Sequence, residues 1–319
     1  WVHAYETPRI GGLCIFLALF IGCLVFRDGA IFENQMVGYF MALTLIFAIG
    51  CVEDIFGRVS ALVRLLCSSI VVIVACGHSL YLDGISLQNE SLFHLIPFLF
   101  LCLCATGVGL IHGTNLIDGL NGLVVFWGIG AVIVMWVCMS NSPLFSQADK
   151  ELVFGYCTIF CLCMTGFFFV NFPFGRIFLG DAGAYLVGFN VFVLAAFLIT
   201  RSPDSQTVLK IGAACSYPLM ELGWTIMRRA LINKKSVFSP DNAHLHSLIY
   251  TNIQRRFPTL SLISANNYAS LVTFLLGIQI TFWVSVMLPA DFWLACLVWL
   301  LCPLSYLIVY FFVFRRVVN

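Results

Sequence analysis

The chain is built from apolar runs about as long as a lipid bilayer is thick. A helix rises 1.5 Å per residue, so roughly 20 predominantly apolar residues cross a hydrocarbon core of about 30 Å. Ten such runs can be laid along the sequence, at about 10–26, 36–52, 60–77, 92–111, 122–139, 152–170, 183–200, 207–227, 268–289 and 292–313. The eighth is the least regular, because Lys210, Pro218 and Glu221 interrupt it. In lipid only helices and closed barrels satisfy the backbone, and these runs are too long and continuous for barrel strands. The expected fold is therefore all-α, a polytopic transmembrane helical bundle of about ten helices forming a single integral-membrane domain over residues 1–319. Composition agrees: only 10% of residues are charged, against about 25% in a soluble domain. The lipid bilayer is the expected surrounding, and no nucleic-acid partner is expected. No cleavable signal-peptide pattern opens the sequence. Trp1 falls inside what reads as a loop motif, so the start reads as a truncation with an earlier helix missing.

Orientation follows from Lys and Arg. If the segment before the first helix is cytoplasmic, that side holds Arg9, Arg58, Arg64, Arg176, Arg228, Arg229, Lys234, Lys235, Arg255, Arg256, Arg315 and Arg316. The other holds Arg27, Lys150, Arg201 and Lys210. Twelve against four is a clear positive-inside bias, and it favours an even helix count with both ends cytoplasmic. The largest connection, about 228–267, is basic and is expected to be a cytoplasmic loop. It contains the turn signal Ser239-Pro240-Asp241-Asn242, followed by a short helix over 243–256 near the headgroups. The 14 cysteines lie mostly inside apolar runs with no CxxC spacing, which reads as small apolar packing.

The same topology sorts the acids, although it was set from the basic residues alone. Glu53, Asp54, Asp118, Asp181 and Asp241 fall on the cytoplasmic side, together with His244 and His246. Glu53-Asp54 closes the second helix, where two adjacent carboxylates suit a divalent cation or a charge-held base. Ordinary loop acids offset by Arg58 or Arg64 are an equal alternative. In Asn115-Leu-Ile-Asp118-Gly-Leu-Asn121-Gly, polar residues at i, i+3 and i+6 share one helical face and glycines allow close backbone approach. A Gly-rich turn with capping side chains explains the same pattern. Gly180-Asp181 opens the seventh helix, where Asp is also an ordinary N-cap, and Arg176 nearby suits a phosphate. The pair His244 and His246 has few metal-ligand partners in its loop, which favours phosphate contact over a zinc site. Glu221 lies at depth in the eighth helix, with Arg228 or Arg229 as its partner or an interfacial position as the alternative.

Taken in order, these blocks resemble the polyprenyl-phosphate N-acetylhexosamine-1-phosphate transferases. That family includes the translocase that makes the first lipid intermediate of peptidoglycan, and enzymes that start O-antigen, enterobacterial common antigen and teichoic acid linkage units. The residues that carry the resemblance are Thr7-Pro8-Arg9-Ile-Gly-Gly12, Glu53-Asp54 with Arg64, Asn115 to Gly122, Phe178-Leu-Gly-Asp181-Ala-Gly, and Ser239-Pro-Asp-Asn-Ala-His244-Leu-His246. The resemblance implies roles. Asp54, Asp118, Asp181 and Glu53 are implied as catalytic. Asn115, Asn121, Arg64, Arg176, His244 and His246 are implied as substrate-binding, and Asp181 with Asp54 as ligands of Mg²⁺, or Mn²⁺ in its place. Three positions depart from the pattern: Glu53 stands where Asp is usual, Asn121 where many relatives have Asp, and Ser247 where a further His is common. They point away from the peptidoglycan phospho-N-acetylmuramoyl-pentapeptide transferase and toward the branch using simpler UDP-N-acetylhexosamines.

The implied reaction joins undecaprenyl phosphate to a UDP-N-acetylhexosamine and releases UMP. It takes place at the cytoplasmic face of a bacterial inner (plasma) membrane and initiates a cell-envelope polysaccharide such as lipopolysaccharide. Direct attack and a covalent aspartyl intermediate both fit the residues, and a homodimer is the oligomer considered. Two other classes compete. A transporter or flippase would place ionisable groups at mid-membrane within inverted repeats, and a catalytically dead scaffold would explain Glu53 and Ser247.

Overall fold

The structure is a computed structural model, and it describes residues 7–25, 32–83, 96–201, 204–232, 234, 236–237, 243–289 and 291–318. Among these residues every element is helical. Ten helices coincide with the ten expected spans: α1 (Gly11–Val25), α2 (Phe32–Phe56), α3 (Ala61–Asp83), α4 (Ile96–Ile117), α5 (Leu123–Ser140), α6 (Gln147–Asn171), α7 (Gly180–Arg201), α8 (Ser205–Met227), α10 (Leu262–Met287) and α11 (Phe292–Val317). The remaining helix, α9 (Leu245–Arg256), is the short one expected in the basic loop. The turn signal at 239–242 lies outside the described residues. Among the described residues seven helices are long and apolar enough to cross a membrane, and α1 and the Ala61–Gly77 part of α3 are shorter apolar stretches. The irregular α8 is not among them. All fourteen cysteines are free thiols.

Helix α7 is the hub. Its most apolar stretch is 83% buried, whereas that of α2 and that of α11 are each 22% buried, so the outer helices present their apolar faces to lipid while α7 is enclosed by protein. It packs against α1, α2, α4 and α5. Small residues make this close approach possible: a side chain at Gly12 or Gly50 would overlap the backbone of α7 at Ala182 and Gly183. Without a hydrophobic drive between helices in lipid, such small-residue contacts and buried hydrogen bonds hold the bundle together. Asn190, fully buried at the middle of α7, accepts hydrogen bonds from Tyr39 Oη of α2 (2.6 Å) and Tyr156 Oη of α6 (2.8 Å).

The interruptions in α8 have local explanations. Pro218 has no N–H, which leaves the carbonyl of Ala214 without its helical donor. Trp127 Nε1 of α5 donates to that carbonyl at 3.2 Å. Beside it, Gly113 of α4 lies against the Pro218 carbonyl, where a Cβ would sit 2.5 Å away. Beyond Met227 the helix loosens into a π-turn over Arg228–Ile232, and α10 carries another over Phe274–Ile278.

Candidate active site

The acids separated in sequence meet where the N-terminus of α7 abuts the ends of α2 and α4. Gly180 adopts a left-handed backbone conformation (φ +74°), which turns the chain into α7 and leaves its first N–H groups without helical partners. The Asp54 side chain takes them. Oδ1 accepts from the Asp181 N–H and Oδ2 from the Ala182 N–H, both at 2.9 Å. Gly180 is required twice over, by its φ and because a Cβ there would lie 2.6 Å from Asp54 Oδ2. Asp54 thus caps α7 from another helix and fixes the backbone that carries Asp181. The capping role that sequence attaches to Asp181 belongs to Asp54.

Asp181 faces the other way. Its Oδ2 is paired with Arg64 Nη1 of α3 and lies 3.5 Å from Asn115 Nδ2 of α4. Arg64 also approaches Glu53 Oε1 at 3.9 Å. Glu53 Oε2 accepts from the Val59 N–H at 2.9 Å, so this acid ties down the α2–α3 turn and steadies Arg64. The N-terminal motif packs alongside: Phe178 N–H donates to the Pro8 carbonyl, and the N–H groups of Gly11 and Gly12 donate to the carbonyls of Phe178 and Leu179, all at 2.9 Å. That ladder brings Arg9 to the acids.

A cleft of about 330 Å³ opens here, lined by residues that include Arg9, Asn115, Asp118, Asn121 and Asp181. Asp118 sits in the α4–α5 turn. Burial pushes its carboxyl up to about 8, and the charges of Asp181 and Asp54 push the same way while Arg9 opposes them. At neutral pH the Asp118 carboxyl therefore holds its proton while no cation is beside it. Asn121 lines it but is also structural: its N–H donates to Asn266 Oδ1 (2.8 Å) and its Nδ2 to Asn267 Oδ1 (3.2 Å) of α10. Asn171 holds the neighbouring Gly122 N–H at 2.7 Å.

Other residues singled out from sequence stand elsewhere. Arg176 is exposed, with its guanidinium 5.0 Å from the centre of the Phe174 ring, and does not line the cleft. His244 and His246 are buried and stack nearly parallel, 5.7 Å between ring centres. Neither lines the cleft. His246 lies directly behind it, against Gly119, where any side chain would overlap its ring. Burial and the neighbouring His244 lower the His246 pKa to about 4, so its ring is neutral at physiological pH. Asp241 lies outside the described residues.

A family model described as glycosyl transferase family 4 matches residues 36–199, which carry Asp54, Asp118 and Asp181. The chain belongs to glycosyl transferase family 4. Relatives of this family-4 chain include a probable undecaprenyl-phosphate N-acetylglucosaminyl 1-phosphate transferase of Bacillus subtilis (strain 168), 26% identical across 92% of the chain and 77% of the relative. A decaprenyl-phosphate N-acetylglucosaminephosphotransferase of Mycobacterium leprae is 26% identical across 77% of the chain and 67% of the relative. An undecaprenyl-phosphate alpha-N-acetylglucosaminyl 1-phosphate transferase of Thermotoga maritima is 26% identical across 88% and 79%. Two residues of this family-4 chain gain weight only in three dimensions. Arg9 reads from sequence as a topology marker and part of a motif, yet it enters the cleft. Glu221 reads as a partner of Arg228 or Arg229, yet its carboxylate binds His244 and Tyr306.

Proposed function

We propose that the protein transfers N-acetylhexosamine 1-phosphate from a UDP-sugar to a polyprenyl phosphate, undecaprenyl phosphate in a bacterial plasma membrane, with the cleft at the cytoplasmic face. The observation that carries the reading is the meeting of Asp118, Asp181 and Asn115 with Arg9 around one cleft at the end of an apolar helical bundle. The names of the relatives supply the substrate class. The reaction forms a bond between an oxygen of the lipid phosphate and the sugar-bearing phosphorus of the donor. The pyrophosphate bond breaks and UMP leaves with the bonding electrons. Attack of one phosphate on another is opposed by repulsion, so the site must offset charge at the reacting groups.

Mg²⁺ fits the residues present. It is typically held by one or two carboxylates together with substrate phosphate and water, and Asp118 and Asp181 line the same cleft. Asp118 and Asp181 would hold it, in place of the expected pair of Asp181 with Asp54, because both Asp54 oxygens are engaged by N–H groups; Mn²⁺ suits the same oxygen set. When bound, the ion neutralises charge on the donor phosphates and the departing UMP. The chain's own contribution is orientation. Asp54 holds the backbone of Asp181, Arg64 holds its carboxylate, and Arg9 adds positive charge at the cleft mouth. With both Asp54 oxygens already accepting N–H groups, direct attack by the lipid phosphate is favoured over a covalent aspartyl intermediate. The lipid chain reaches the cleft from the bilayer and the nucleotide from water, which a site at the end of a bundle permits.

Purified protein with undecaprenyl phosphate, Mg²⁺ and a panel of radiolabelled UDP-N-acetylhexosamines tests this. Lipid-linked label should appear with UMP in equal amount, and Asp181→Asn should lower the rate by about 10²-fold or more, as removal of a charge-organising group does. No lipid-linked product from any donor, or an unchanged rate in Asp181→Asn, refutes the proposal.

A further inference from the structure

The described acid buried most deeply away from the cleft is Glu221, in α8, and it is 0% exposed. An ionised or polar group at this depth is expensive unless it is partnered. Its partners come from two separate parts of the chain. Oε1 lies 3.0 Å from His244 Nδ1. Oε2 accepts from Tyr306 Oη of α11 at 2.9 Å and from the Leu245 N–H, the first residue of α9, at 3.4 Å. The carboxylate therefore docks the entry to α9 onto α8 and α11 and favours the His244 tautomer with its proton on Nδ1. His244 in turn stacks on His246. His246 fills the space that glycine leaves open at position 119, beside Asp118. A chain of contacts thus runs from Glu221 to the wall of the cleft.

We infer that Glu221 is a positioning residue: acting through His244, it holds the His244–His246 pair against the Asp118–Gly119 turn and so sets the geometry with which the cleft receives the sugar nucleotide. This rests on the transferase reading above. Tyr306 supports the same carboxylate and belongs to the arrangement. Glu221, His244 and His246 all stand outside the cleft lining, so loss of the carboxylate shifts the turn without removing any group from the cleft itself.

The test is steady-state kinetics of the full chain in detergent with UDP-N-acetylglucosamine, or whichever donor the panel selects, and undecaprenyl phosphate. The variants are Glu221→Leu, Glu221→Gln, Tyr306→Phe, His244→Ala and the double variant Glu221→Leu/His244→Ala. Glu221→Leu should raise KM for the donor by about tenfold, the size expected when a hydrogen bond to a charged group is lost, and leave KM for the lipid phosphate unchanged. Glu221→Gln, which keeps an acceptor but not the charge, and Tyr306→Phe should move the donor KM in the same direction by less. The double variant should be no worse than His244→Ala, because the effect passes through that histidine. A purely structural role predicts a smaller active fraction, seen as lower kcat with both KM values unchanged, and that result overturns the inference. So do losses that multiply in the double variant. If Glu221→Leu does not fold, wild-type donor KM in both Glu221→Gln and Tyr306→Phe overturns it equally. An inactive wild-type chain defeats the transferase reading and this inference with it, whereas an active wild type with unaltered variants defeats the positioning role alone.

Discussion

Replacing Gly180 by alanine should disassemble the site without replacing any charged group. An L-residue in the left-handed region is disfavoured by about 1–2 kcal/mol. The added Cβ would also lie 2.6 Å from Asp54 Oδ2, far inside contact distance. The Asp54 carboxylate must then withdraw and surrender at least one of its two N–H bonds to α7. Hydrogen bonds to charged groups are worth about 1.5–3 kcal/mol. Together the two terms come to about 2.5–5 kcal/mol, which at about 1.4 kcal/mol per decade lowers the population of the assembled site by roughly two to four orders of magnitude. Gly57→Ala is the matched control. Gly57 also has a left-handed conformation (φ +60°), but nothing lies within 4 Å of the position its new methyl would take, so it incurs only the backbone term. The assay is transferase activity together with thermal unfolding in detergent for both variants. Gly180→Ala should lose activity far beyond Gly57→Ala. Equal effects in the two would refute the idea that the Asp54 cap organises Asp181.

Three further outcomes follow from the geometry. Arg176→Ala should leave activity within about twofold, as expected of a surface change, while Arg9→Ala should raise KM for the anionic substrates by about tenfold through loss of a cleft cation. The reverse order would reinstate Arg176 as the phosphate contact. The pH dependence of stability in a chelator should reveal Asp118. Its folded pKa of about 8 lies above the ordinary value of 3.8, so the folded state holds a proton that the unfolded state lacks, and stability falls as pH rises through that window. His246, lowered from 6.5 to about 4, acts in the opposite sense, with stability lost as pH falls from 6.5 to 4. Only Asp118 of these two titrates between pH 6.5 and 8, so the unfolding temperature should drop across that interval in wild type and stay flatter in Asp118→Asn; an identical slope in both would exclude Asp118 as its source. Gly50→Ala should destabilise the α2–α7 contact by about 1–3 kcal/mol, the usual range for overpacking, whereas Gly155→Ala, with open space around it, should not lower the unfolding temperature.

The helical bundle and the grouping of Asp54, Asp118 and Asp181 were legible in the linear sequence. Lipid leaves the backbone so few options that apolar run length alone dictates helices, and helix ends falling on one side bring their acids to one end of the bundle. Glu53, a departure from the usual pattern, joins them through its approach to Arg64 at 3.9 Å. Local patterns could not distinguish the roles of these residues. Arg176 and Arg9 both sit in loops beside the acids. Only the hydrogen-bond ladder between Pro8–Gly12 and Phe178–Leu179 sends Arg9 inward, while Arg176 stays outside on Phe174.

Glu221 marks the same boundary. Its spacing along α8 offered Arg228 or Arg229 as partner, or an interfacial position, because local reasoning reaches only one or two helical turns. The partners it binds, His244 and Tyr306, lie 23 and 85 residues away in the chain. Sequence by itself determined the lipid surrounding, the helices and the placing of Asp54, Asp118 and Asp181 at helix ends, since each depends on residue type and short-range periodicity. Tertiary structure alone decided that Asp54 caps the helix bearing Asp181, that His246 fills the space beside Gly119, and that Glu221 supports the histidines. These depend on how close two backbones approach, and that distance is set by the packing of the whole bundle around α7.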